Sequence, residues 1–257
     1  MSAIFVFPVL WTILTSIKVP VDAFSIPPKW IFTPTLNNLI TVWTKLNFPY
    51  YLTNSLIVSL SAAAATVGLG ALAAYGFSRT RTTISLLTLL LLLCIRMFPQ
   101  ILLAIPFFLL AQSWQLYNTV TILFLTYTSF ELTFAIWMLR GFFMAVPTDL
   151  DDAAMMDGCS ELRAFWRVIL PNVIPGLVAT FFLIFLSAFN EYMFALVLTS
   201  STKTLPVAIS GLFRAELIEY WSWSTAAATG MIIPALVIMV FLQKHLIRGY
   251  TFGIGKS

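Results

Sequence analysis

One segment of the chain carries an unusual concentration of acidic side chains. Five of the ten acidic residues in the whole sequence fall between positions 149 and 161, namely Asp149, Asp151, Asp152, Asp157 and Glu161. Ionised carboxylates must stay solvated, whereas most of the remaining chain is apolar enough to dissolve in hydrocarbon. The segment is therefore expected to lie outside the bilayer core, where another molecule in the cytoplasm contacts it.

The same segment has the local signals of two short helices. Val146-Pro147-Thr148-Asp149 is typical of a helix start, because proline is tolerated in the first turn and acids favour the positive end of the helix dipole. This helix runs to Asp157, and Gly158 is suited to end it in the left-handed conformation. Ser160 is suited to cap a second helix, which Pro171 is expected to end.

The second helix is predicted to present an apolar face. Leu162, Phe165, Trp166 and Ile169 follow the i, i+3, i+4, i+7 spacing in an otherwise charged stretch. Burying an aromatic side chain stabilises by roughly 1.5–3 kcal/mol, so Phe165 and Trp166 need a groove. The groove belongs either to this chain or to a partner. A helix lying in the lipid interface is a third interpretation, which the shortness of the segment disfavours.

Composition places the elements that carry this segment in a membrane. The 257 residues are 60% hydrophobic and 9% charged, whereas a soluble domain carries about 25% charged residues. Spanning a hydrocarbon core takes roughly 20 apolar residues in a helix. Six continuous runs are candidates, and they predict an all-α membrane protein with one domain over residues 1–257. The runs are 3–17, 52–77, 84–111, 120–143, 173–198 and 226–247.

Cations are unevenly distributed over the loops between these runs. Five spread over long segments on one side: Lys18, Lys29, Lys45, Lys203 and Arg214. Cytoplasmic loops carry the excess of Lys and Arg, which predicts that the other side, with both termini and the acidic segment, faces the cytoplasm. The eight cations on that side are Arg79, Arg81, Arg140, Arg163, Arg167, Lys244, Arg248 and Lys256.

A few polar side chains lie inside the apolar runs. Arg96 and Glu131 must each face a cavity or find a partner, which makes them candidates for a solute path, for an ion pair, or, for Arg96, for snorkelling to the membrane surface. Asn190 and Glu191 lie late in the fifth run. Amides and carboxylates bind sugars, so both are further candidates for the solute path, and hydrogen bonding between helices is the alternative.

Catalytic chemistry has little support in the sequence. The phosphate-binding pattern G-x-x-x-x-G-K-[ST] is absent, as are H-E-x-x-H and G-x-S-x-G, and His245 is the only histidine. Cys94 and Cys159 are expected to be free thiols. The chain is therefore predicted not to be an enzyme and to hold no cofactor or metal.

The acidic segment resembles a known motif. Asp152-Ala153-Ala154-x-x-Asp157-Gly158, followed by Phe165, Val168, Leu170 and Pro171, is similar to the EAA loop of permease subunits of binding-protein-dependent ABC importers. That pattern usually begins with Glu and has Ala after the Gly, where this chain has Asp152 and Cys159. Asp keeps the carboxylate but shortens its reach by one methylene.

The resemblance extends over nearly the whole chain. Phe7-Pro8-Val9-Leu10-Trp11, Asn54-Ser55, Arg96-Met97-Phe98-Pro99 and the tail from Gln243 to Gly249 are similar to the sugar-permease branch, as in the second permease of the maltose system. Phe189-Asn190-Glu191 is similar to its Trp-Asn-Asp/Glu element, with Phe189 in place of Trp. The resemblance implies a type I ABC importer fold with six transmembrane helices.

The resemblance also implies a function. An inner-membrane permease of this kind moves a sugar or sugar-like solute by alternating access, with a second homologous permease, two copies of a cytoplasmic ATPase that binds ATP and Mg, and an extracytoplasmic solute-binding protein. The alternative is an ion-coupled transporter or channel without an ATPase. The implied coupling loop is about 145–172, with coupling residues Asp152, Ala153, Ala154, Asp157, Gly158, Leu162, Phe165, Trp166, Leu170 and Pro171, and Phe165 and Trp166 as the face presented to the ATPase.

Overall fold

The computed structural model of the protein describes residues 2–80, 82–213 and 218–254. Within these ranges the chain forms helices and connecting turns, without strands, as its composition predicts. The helices are α1 (Ser2–Ser16), α2 (Pro20–Ala23), α3 (Asn37–Lys45), α4 (Phe48–Arg79), α5 (Thr83–Arg96), α6 (Gln100–Ser113), α7 (Val120–Met144), α8 (Asp149–Met156), α9 (Glu161–Ala164), a π-helical turn (Phe165–Ile169), α10 (Leu170–Phe189), α11 (Met193–Leu198), α12 (Leu205–Phe213) and α13 (Ile218–Ile254).

Four helical stretches among the described residues are long and apolar enough to cross a membrane. They are α4, α7, α13 and the continuous stretch Glu161–Phe189, which joins α9, the π-helical turn and α10. The pair α5 and α6 is a fifth candidate, bent by 94°. The shorter apolar helix α1 occupies the first of the six predicted runs, so each run has a helical counterpart.

The predicted span 84–111 is divided by a corner. α5 ends at Arg96, and α6 begins at Gln100 with Pro99 in the capping position before it. The residue before a proline is disfavoured in helical conformation, which explains why the helix stops here. Pro99 therefore marks the interruption of this span. Pro106 lies inside α6 and does not end it.

Small residues allow α4 and α7 to pack closely. Ala63, Ala71 and Ala74 on α4 are buried, as is Ala135 on α7. A Cβ atom added to Gly70 would lie 2.7 Å from the Cβ of Ala135, so the two backbones approach each other where only hydrogen fits. These small residues form the α4–α7 interface and make the two helices a closely packed pair.

A polar framework holds the end of the bundle that lies opposite the acidic segment. The Asn38 side-chain amide donates to the carbonyl oxygens of Ser16 and Lys18 at 2.9 and 2.8 Å. The ammonium group of Lys18 is buried and donates to the carbonyl of Lys29 at 2.7 Å. These bonds hold the segment between α1 and α4 together as an ordered cap on this end of the bundle.

Candidate functional site

The acidic segment folds as two helical pieces joined at Gly158. α8 ends in a left-handed turn, with Gly158 at φ +82°. The N–H of Gly158 donates to Met155 O at 3.0 Å, and that of Cys159 donates to Ala154 O at 3.0 Å. This double closure is the Schellman motif, in which glycine avoids the steric penalty of a side chain at positive φ. The predicted glycine cap is confirmed.

The sequence predicts that Pro171 ends the second helix, and this prediction is wrong. The chain is helical from Glu161 to Phe189, and Pro171 lies just inside α10. A π-helical turn over Phe165–Ile169 precedes it, and the N–H of Leu170 donates to Phe165 O. The wider turn accommodates a residue that has no N–H and whose ring would clash with the preceding turn of an α-helix. The second helical piece therefore continues into the membrane span as one helix.

Phe165 belongs to the inner side of the loop. Its ring is buried, with its centroid 4.9 Å from that of Tyr75 on α4 and 6.0 Å from that of Phe143 on α7. The prediction that Phe165 and Trp166 together face a partner is therefore wrong for Phe165. Its groove lies in this chain, between the ends of α4 and α7. Trp166 meets Phe165 edge-on at 5.2 Å but remains 53% exposed.

An ion pair fixes α8 to the same place. Nη2 of Arg79 lies 2.8 Å from Oδ2 of Asp151, and the Tyr75 hydroxyl donates to Oδ1 of Asp151 at 2.5 Å. The Asp151 and Arg79 side chains are only 12% and 17% exposed. Nη1 of Arg79 also donates to Phe143 O at 3.2 Å. The loop is therefore bonded to the end of α4, which Arg79 in turn bonds to the end of α7.

The outer side of the loop combines acidic and apolar side chains. Leu162 is 62% exposed and lies one helical turn before Trp166. Of the other predicted coupling residues, Ala154 is buried within the loop and Leu170 is half-buried against the core. The exposed predicted residues are Asp152, Ala153, Asp157, Gly158, Leu162, Trp166 and Pro171.

Three residues of this arrangement were not predicted as site residues. The sequence patterns mark Asp151 only as one of several acids and Arg79 only as a cation that sets orientation, and they do not mark Tyr75. A signal was present, because Arg79 ends the second apolar run at the same membrane boundary as the acidic segment. Opposite charges at one boundary favour pairing, although the sequence does not show which acid takes part.

Arg96 and Glu131 are brought together inside the bundle. Nη2 of Arg96 lies 3.2 Å from Oε2 of Glu131, and Nη1 donates to Phe130 O at 3.1 Å. Ser187 on α10 donates to Oε1 of Glu131 at 2.6 Å. The guanidinium also lies 5.0 and 5.4 Å from the ring centroids of Phe130 and Phe134. The ion pair thus joins the α5–α6 corner to α7 and α10.

Asn190 and Glu191 mark a break in the predicted span 173–198. Glu191 accepts the backbone N–H groups of Phe194 and Ala195 at 2.8 and 3.1 Å, so its carboxylate starts a new helix, α11. Asn190 is exposed and lines a mostly apolar cavity of about 510 Å³ between α1, α10 and α13, where its amide donates to Leu186 O at 2.8 Å. Glu191 therefore caps a helix, whereas its neighbour Asn190 faces a cavity.

Comparison with known proteins identifies the architecture. Residues 66–251 match the family described as binding-protein-dependent transport system inner membrane component. The chain is similar to the probable ABC transporter permease protein y4oR of Sinorhizobium fredii, at 33% identity over all of this chain and 92% of the relative. It is also similar to the trehalose/maltose transport system permease protein MalG of Thermococcus litoralis, at 35% identity over all of this chain and 94% of the relative.

A solved structure supports the same conclusion about the fold. One chain of a bacterial ABC transporter involved in the import of the acidic polysaccharide alginate superimposes with a TM-score of 0.77 at 19% identity, covering 95% of this chain and 92% of that one. The fold is that of a type I ABC importer permease, as the resemblance implied. The chain belongs to the family of binding-protein-dependent transport system inner membrane components.

Proposed function

We propose that this chain is the permease subunit of an ATP-driven importer that carries a sugar or sugar-like solute into the cell by alternating access. The loop carries the proposal: its inner face is fixed to the ends of α4 and α7, whereas Leu162 and Trp166 on its outer face are uncovered. A short helix with apolar anchors is a form that fits into a groove on another protein. The names of relatives that carry trehalose and maltose support the solute class.

The proposed assembly has three kinds of partner. Two copies of a cytoplasmic ATPase bind ATP and Mg and dock at the coupling loops, a second homologous permease completes the path, and an extracytoplasmic binding protein delivers the solute. The position of the cations supports this orientation. Arg79 and Arg140 both lie at the loop end, where they bond to backbone carbonyls at 3.2 and 3.3 Å. The positive-inside rule assigns that end, and with it both termini, to the cytoplasm.

Transport by purified components tests the proposal. The chain is reconstituted in liposomes with its second permease and ATPase, the binding protein is added outside, and uptake of labelled trehalose or maltose is measured with and without ATP inside. The expected result is uptake only with ATP and with all the subunits. Solute flux through this chain alone, driven by an ion gradient without ATP, would favour the ion-coupled alternative. The pairing of Arg96 with Glu131 already occupies two of the charges that such coupling would use.

A matched pair of leucines tests the docking surface. Leu162 in the loop and Leu91 on α5 are both 62% exposed. Full burial of a leucine stabilises by roughly 1.5–3 kcal/mol, so Leu162→Ala is expected to weaken ATPase binding by about 1–2 kcal/mol, or about 5–30-fold. Leu91→Ala is expected to leave that binding unchanged. Equal ATPase affinity for both variants would contradict docking at this face.

A further inference from the structure

The loop is tied to a helix with which it shares no direct chain connection. Its two ends continue covalently into α7 and α10, but α4 lies far away in the sequence. Both carboxylate oxygens of Asp151 are directed at α4, one to the Tyr75 hydroxyl at 2.5 Å and one to Arg79 at 2.8 Å. Asp151 therefore connects the loop to α4 across the bundle.

The surroundings of this bond make it a firm connection. The charged groups are largely removed from solvent, where ion pairs are screened little and a lost partner leaves an uncompensated charge. Arg79 is also held by α7, because its Nη1 donates to Phe143 O at the end of that helix. Phe165 packs on Tyr75 from the other half of the loop, at 4.9 Å. Both halves of the loop thus meet the end of α4.

We propose that Tyr75, Arg79 and Asp151 are positioning residues that make α4 follow the loop when the loop moves. Covalent connection moves the ends of α7 and α10, and the close contact of Gly70 with Ala135 keeps α4 beside α7 near mid-helix. At the loop end, the Asp151 carboxylate is the link through which displacement of α8 reaches α4. This inference rests on the proposed function, since it concerns how a movement driven by the ATPase enters the bundle.

The variants Arg79→Met and Asp151→Asn test the link in the reconstituted complex. Two quantities are measured: the ATPase bound to the complex, and the solute transported per ATP hydrolysed. ATPase binding is expected to persist, because the exposed residues Leu162 and Trp166 are untouched. The ratio of transport to hydrolysis is expected to fall by about fivefold or more, in the range of coupling between directly paired residues.

Three further variants separate positioning from simple loss of structure. The reversed pair, Arg79→Asp with Asp151→Arg, is expected to recover part of the ratio that either single change loses. Tyr75→Phe keeps the ring packing and removes one hydrogen bond, so a smaller fall is expected even where the charge variants assemble poorly. Lys29→Met breaks the more exposed Asp22–Lys29 pair at the opposite end, also 2.8 Å long, and is expected to change nothing.

The outcomes distinguish this inference from the proposed function. A wild-type ratio in Arg79→Met, Asp151→Asn and Tyr75→Phe would overturn the inference while leaving ATP-driven import intact. A reversed pair that assembles but transports no better than the single variants would also overturn it. Absence of ATP-dependent uptake by the unaltered complex would instead refute the proposed function.

Discussion

Replacing Gly158 by alanine isolates the backbone geometry of the proposed coupling loop. Apart from Gly158 itself and its two chain neighbours, no residue has an atom within 4 Å of the position that a Cβ would take, so the substitution creates no clash with the rest of the chain. The cost comes only from holding a non-glycine residue at φ +82°, and left-handed conformation costs an L-residue about 1–2 kcal/mol. The population of the locally opened loop is expected to rise by about 5–30-fold.

Limited proteolysis measures this population. Trypsin cleaves after Arg163 or Arg167, which lie in the helical part of the loop and become good substrates only when it opens. When opening and closing are fast, the cleavage rate follows the open fraction, so Gly158→Ala is expected to be cut about 5–30 times faster than the unaltered chain. Gly158→Asn is expected to fall between the two, because asparagine tolerates this conformation better.

Gly141→Ala is the matched control. Gly141 also has open space where a Cβ would lie, but it is within α7 and has no positive φ. Alanine inside a helix is more stable than glycine by roughly 0.5–1 kcal/mol, so loop cleavage is expected to stay at the unaltered rate or below it. The reasoning is refuted when Gly158→Ala and Gly141→Ala are cleaved equally fast, or when asparagine at 158 is worse than alanine.

Three other predictions follow from single contacts. Glu131→Leu leaves the Arg96 guanidinium unpaired and is expected to lower the stability in detergent by about 3 kcal/mol. This is the lower end of the range for broken buried pairs, because Arg96 is 29% exposed. In thermal unfolding, the double variant Glu131→Leu with Arg96→Met should lie nearer to the unaltered chain than Glu131→Leu alone. Gly70→Ala forces α4 away from Ala135 and is expected to cost about 1–3 kcal/mol, whereas Gly68→Ala, which has open space, costs nothing in the same unfolding experiment. Glu191→Leu removes the carboxylate that starts α11 and is expected to cost about 1 kcal/mol, with Glu191→Gln closer to the unaltered chain; a transport KM that rises in the Gln variant without loss of stability would instead indicate solute contact.

The local features of the loop were predictable because their causes are local. Acids at a helix start and glycine at its end each act within a few residues, and the start of α8 and the turn at Gly158 both follow these rules. The apolar runs were predictable for the same reason, since membrane crossing depends mainly on the composition of about 20 consecutive residues.

The directions of the loop's side chains were harder to predict from the sequence. The spacing of Leu162, Phe165, Trp166 and Ile169 predicts one apolar face, but the structure divides it. Phe165 and Ile169 are buried, whereas Leu162 and Trp166, the other pair four residues apart, are exposed. Periodicity shows that side chains share a side of a helix. It does not show where the covering surface ends, and here Tyr75 and Phe143 cover only half of the face.

Ion pairs between residues far apart in the sequence were also hard to predict. Asp151 and Asp152 are adjacent acids about 100° apart around a helix, and the positions of Arg79 and Tyr75 on α4 decide that Asp151 turns inward. Arg96 and Glu131 show the converse case. Each is a lone charge in an apolar run, so the requirement for a partner was predictable. In the structure the two residues pair with each other, although the sequence does not show that their helices are neighbours.

The division of the loop into two faces has a consequence for the proposed mechanism. A docking residue and a transmitting residue must give different losses, because one contacts the ATPase and the other contacts the bundle. Changes at Leu162 or Trp166 should lower ATPase binding and leave the bound complexes fully coupled. Changes at Asp151 should do the reverse, since its carboxylate is directed at α4 and away from the exposed face. A loop that only bound the ATPase, without transmitting movement, would show lower ATPase binding for changes at Asp151 as well as at Leu162 or Trp166.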